Sequence, residues 1–94
     1  MTRAETLDAA KKCVMGDRQD DYGTPERNFE NIAALWTDYL RAANPMNCVK
    51  ISPKDAAVMM ALMKIARIAN GNKEDSFVDL AGYAACAAEI AGEE

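Results

Sequence analysis

Between Asp55 and Ala69 the chain reads DAAVMMALMKIARIA, and after the opening Asp55 the only charges in this stretch are Lys64 and Arg67. A helix that is apolar all the way round has to be covered by other protein, and a chain of 94 residues supplies little cover. Lys64 and Arg67, three residues apart, share one face of the rod. Burying such charges is costly unless they are paired, so carboxylates or phosphates are expected beside them. The stretch therefore predicts an anionic-ligand site, or an ion-pair network, inside an oligomeric helical assembly.

Ninety-four residues suffice for one domain, so 1–94 reads as a single helical domain. Half the residues are apolar but only 6% are aromatic, a balance that favours closely packed helices. A net charge of −4 without a basic cluster argues against a surface that tracks duplex DNA or RNA, though not against small anions held by two or three local cations. The N-terminal residues lack the apolar core of a secretion signal. Lys64 and Arg67 interrupt the best candidate for the roughly 20-residue apolar run that would span a bilayer. The three widely spaced cysteines, Cys13, Cys48 and Cys86, read as reduced thiols, and the expected location is cytoplasmic. With no histidine in the chain, Ser–His and Cys–His nucleophile systems are absent, and any metal would be held by oxygen, which suits Mg²⁺ or Mn²⁺.

Four helices are predicted, and no strand. Thr2-Arg-Ala-Glu5 is a capping box that starts the first helix, and Gly16 ends it. Thr24-Pro25 starts the second, whose stripe is Phe29, Ile32, Ala33, Trp36, Tyr39 and Leu40; Asn44-Pro45 stops it. The connector that follows, with Met46, Cys48 and Val49, is expected to pack down. Ser52-Pro53-Lys-Asp55 starts the third helix, which runs to Ala69 before Asn70-Gly71. The fourth begins near Asp75 and runs to Gly92, and its alanines with Gly82 leave a surface on which another helix can lie close. Short connections make this an all-α four-helix bundle, and the apolar third and fourth helices predict a dimer or larger homo-oligomer.

The acids and cations converge if the third and fourth helices form an antiparallel hairpin. Arg67 then falls near Asp75 and Lys64 near Asp79, with Tyr83 one turn further along the same face. Read functionally, the carboxylates hold a divalent cation, Lys64 and Arg67 bind phosphate oxygens, and Tyr22 or Tyr83 stacks on a base. Read structurally, the same charges are salt bridges tying the hairpin. Glu26 and Glu30 form a second pair that could complete an oxygen cage, or simply favour a helix start. Tyr22-Gly23 precedes a helix N-terminus, where a glycine lets backbone amides approach an anion, or merely forms a turn. Met46, Met59, Met60 and Met63 read as core filler, and Trp36 as core.

Asp20-Asp-Tyr-Gly23, Lys64-Ile-Ala-Arg-Ile68 and Asp75-Ser-Phe-Val-Asp-Leu-Ala-Gly-Tyr83 together resemble a group of small phage and prophage proteins related to the nucleotide-modification-associated domains. More distantly the chain looks like the all-α MazG-like nucleotide pyrophosphohydrolases. The resemblance covers residues from about 17 to 90, and Asp-x-x-x-Asp-Leu-x-x-Tyr carries most of it. It implies a helical oligomer with a nucleoside phosphate and Mg²⁺ bound between helices. Two acids stand in Glu26-Arg-Asn-Phe-Glu30 where the MazG-like pattern has three, and the spacing of Asp75 and Asp79 also departs from it.

Three functions are compatible with these residues. One is Mg²⁺-dependent cleavage of a nucleoside triphosphate to monophosphate and pyrophosphate, with Asp75, Asp79 and Glu30 (with Glu26) as metal ligands and Lys64 and Arg67 as phosphate clamps. The second is a non-catalytic sponge that sequesters a nucleotide signal of bacterial anti-phage defence, working in the host cytoplasm. The third is a structural helical oligomer whose charges only set register.

Overall fold

The computed structural model describes residues 1–16, 24–46 and 48–93, and among them four helices and no strands are found: α1 (Arg3–Met15), α2 (Pro25–Ala43), α3 (Pro53–Ala69) and α4 (Glu74–Glu93). Each of the first three helices starts where its side chains provide a cap. Thr2 accepts from the Glu5 amide while Glu5 accepts from the Thr2 amide, a reciprocal box that satisfies two otherwise orphaned donors. Ser52 and Asp55 repeat the arrangement at α3, and Thr24 caps α2 by accepting from the Arg27 amide. Proline occupies the first helical position of both α2 and α3, where a missing N–H costs nothing.

Gly16 closes α1 for a steric reason. Its φ is −115°, outside the left-handed region that helix-ending glycines commonly adopt. A Cβ at this position would stand 2.8 Å from the Lys12 carbonyl oxygen, which accepts the Gly16 N–H, so a side chain would force the cap open.

The fold is organised around α4. It folds back on α3 across the short connection 70–73, and it receives α1 on another side, where Gly82 lies so close that an added Cβ would approach Val14 Cγ1 at 3.2 Å. The small surface expected on the fourth helix is thus occupied, at this point, by the chain's own first helix. Helix α2 packs mainly on α3 and touches α4 through Phe29 and Tyr83, whose rings meet edge to face at 6.1 Å and 76°. Phe29, Ala33, Ile51, Ala56, Ala57, Cys86, Ala87 and Ile90 form the core, with Val14, Ile32, Trp36, Leu40, Met60 and Tyr83 packed against it.

That core is thin. It is rich in alanine, and among the described residues no large side chain is completely buried. Tyr39 departs from the expected stripe of α2 and is 69% exposed, because the stripe is centred one step round the helix and buries Thr37 instead. The connector also departs from expectation. Met46 is 90% exposed and Val49 is also exposed, and among the described residues of the connector the first to be buried is Ile51. Of the four methionines expected to fill the core, Met60 alone packs against it; Met46, Met59 and Met63 are exposed. The reason is shortage of partners: α3 has apolar side chains on all sides, and one chain covers only one of them. No described helix is long and apolar enough to cross a membrane.

Candidate functional site

The hairpin of α3 and α4 brings Lys64 and Asp79 together. Lys64 Nζ lies 2.9 Å from Asp79 Oδ2, and the two side chains are only 12% and 14% exposed. The capped start of α3 and the four-residue turn at 70–73 set the register, so that the sixth residue of α4 faces the twelfth of α3. At this depth a lone ammonium or carboxylate would be strongly disfavoured, so each keeps the other in place. The Asp75–Asp79 spacing puts both acids on one face of α4.

Arg67, one turn beyond Lys64, behaves differently. It is exposed, and among the described residues no ion pair joins it to Asp75, which is also exposed. The expected double pairing of the hairpin is therefore half realised. The reason lies in helical geometry. Lys64 sits on the side of α3 that faces α4, and three residues further on the helix has turned Arg67 toward its outer edge. Tyr83 is half-buried, and its ring is engaged by Phe29. Tyr22 and Gly23, with Asp20 and Asp21, lie outside the described residues.

Of the four expected metal ligands, Glu26, Glu30, Asp75 and Asp79, only Glu26 joins a group of three acids among the described residues. Its companions are Glu89 and Glu93, with carboxylate oxygens of all three within 4.8 Å of one another. Glu26 is half-buried, and the other two are exposed. Glu30 points to solvent one turn further along α2. The sequence reading missed Glu89 and Glu93, although their i, i+4 spacing at the end of α4 was visible. What could not be read was that the start of α2 lies beside the end of α4.

Glu26 and Glu89 also line a cleft of about 350 Å³ between α1, α2 and α4, whose walls include Leu7, Ala10, Val14 and Cys86. Burial pushes the Cys86 thiol above its ordinary pKa, and the negative charges of Glu26 and Glu89 push it in the same direction. Cys86 is thus held as a neutral thiol, the opposite of the electropositive setting that activates a nucleophilic cysteine.

Comparison with known proteins places these features in a family. A family model described as a domain of unknown function, DUF6378, matches residues 5–91, and the chain belongs to this family. It is 46% identical over 79 residues to the Gene 55 protein of Mycobacterium phage L5, covering 83% of this chain and 47% of that protein. It is 42% identical over 85 residues to the Gene 55 protein of Mycobacterium phage D29, covering 89% of this chain and 52% of that protein. The chain spans about half the length of these relatives. No solved structure matches it.

Proposed function

For this member of the DUF6378 family, we propose a phage-type helical protein that binds and sequesters a nucleoside phosphate in the host cytoplasm, as a homo-oligomeric bundle. The observation that carries the reading is the unequal treatment of the two cations on α3. Lys64 is fixed by Asp79, while Arg67, one turn away, is exposed and makes no ion pair among the described residues. A guanidinium held on a rigid helix offers the planar, bidentate geometry that phosphate oxygens fit. Lys64, neutralised by Asp79, holds the hairpin behind it, and Tyr83 and Tyr22 are the aromatic groups proposed to meet the base.

Binding without chemistry is favoured over Mg²⁺-dependent pyrophosphohydrolysis by the placement of the acids. Asp79 is engaged by Lys64, and Glu26 has Glu89 and Glu93 as neighbours. Three hard oxygen donors would suit Mg²⁺, but Glu89 lies ten residues along α4 from Asp79, about 15 Å at 1.5 Å rise per residue, so a metal held there would not reach a phosphate at Arg67. Asp75 and Glu30 are exposed acids that would have to be recruited to such a site by the ligand.

A thermal-shift series with nucleoside mono-, di- and triphosphates, each with and without Mg²⁺, tests the proposal. Saturating ligand should raise the melting temperature through mass action, by about 2.7 kcal/mol of stabilisation at a hundredfold excess over Kd. Arg67→Ala should abolish the shift while melting normally in the absence of ligand. If no nucleotide moves the wild-type protein, the proposal fails; release of pyrophosphate from a triphosphate with Mg²⁺ would replace sequestration by catalysis.

A further inference from the structure

We draw no further inference here: the strongest candidate, the exposed apolar face of α3 formed by Val58, Met59, Leu62, Met63 and Ile65, carries nothing because nothing in the structure shows what covers it.

Discussion

Thr37 and Ile51 hold each other by a two-way hydrogen bond across 14 residues of sequence. The Ile51 N–H donates to Thr37 Oγ1 at 2.9 Å, and the hydroxyl donates back to the Ile51 carbonyl at 3.4 Å. Both residues are buried, and the contact anchors an otherwise exposed connector to α2 immediately before the Ser52 cap of α3. Thr37→Val keeps the shape but leaves a buried N–H without an acceptor, which should cost about 1–3 kcal/mol. For a domain of this size each kcal/mol lowers the melting temperature by about 4–8 °C. A melting temperature within 1–2 °C of wild type (about a quarter of a kcal/mol) would show that the clamp contributes nothing.

The Lys64–Asp79 pair should be strongly coupled. Lys64→Met takes the ammonium from a nearly buried carboxylate and should destabilise by about 3 kcal/mol, the low end of the cost of breaking a buried pair. Lys64→Met combined with Asp79→Leu should recover part of that loss. Urea denaturation of the four proteins in the cycle measures the coupling, and additive single effects would refute it.

The three cysteines should react at different rates. Cys48 is exposed, Cys13 half-buried and Cys86 buried. Cys86 is also held protonated by burial and by Glu26 and Glu89. A thiol-reactive dye at pH 8 should label Cys48 first and spare Cys86 until the protein is unfolded. Replacing Glu26 with Gln should speed Cys86 labelling modestly. Equal rates at Cys48 and Cys86 in the folded protein would contradict the arrangement.

Ser52→Ala should cost about 1 kcal/mol, the usual loss for an N-cap. The contribution of Asp55 is pH-dependent. Hydrogen bonds from Ser52, backbone first and side chain second, hold its carboxyl below the ordinary value of 3.8. A carboxyl lowered in the folded state contributes stability that is fully present above its unfolded pKa. That stability is lost as pH falls through the folded value. The stability gap between wild type and Asp55→Asn should therefore be constant from neutrality to about pH 5 and should shrink below 3.8. A gap that widens on acidification would reverse the sign.

Helix starts and stops were legible because they are local. Thr2, Thr24 and Ser52 cap through bonds that span three residues, and all three caps form. Lys64–Asp79 was legible for a related reason: a hairpin with a short turn leaves one register, and helical spacing does the rest. Thr37 was not. A threonine in an apolar stripe carries no sign that its hydroxyl will meet a backbone group 14 residues away. The grouping of Glu26 with Glu89 and Glu93 was hidden likewise, because it joins the start of α2 to the end of α4.

The amino-acid sequence by itself determined four helices, their caps, an oily third helix and the carboxylate that would meet Lys64, since each depends on neighbours within a turn or across one tight connection. Only the tertiary structure decided that Arg67 faces outward, that Tyr39 and three methionines are left in solvent, and which acids gather. Those outcomes depend on how one helix is rotated against another, and α3, apolar on every side, encodes no preferred rotation in its own pattern.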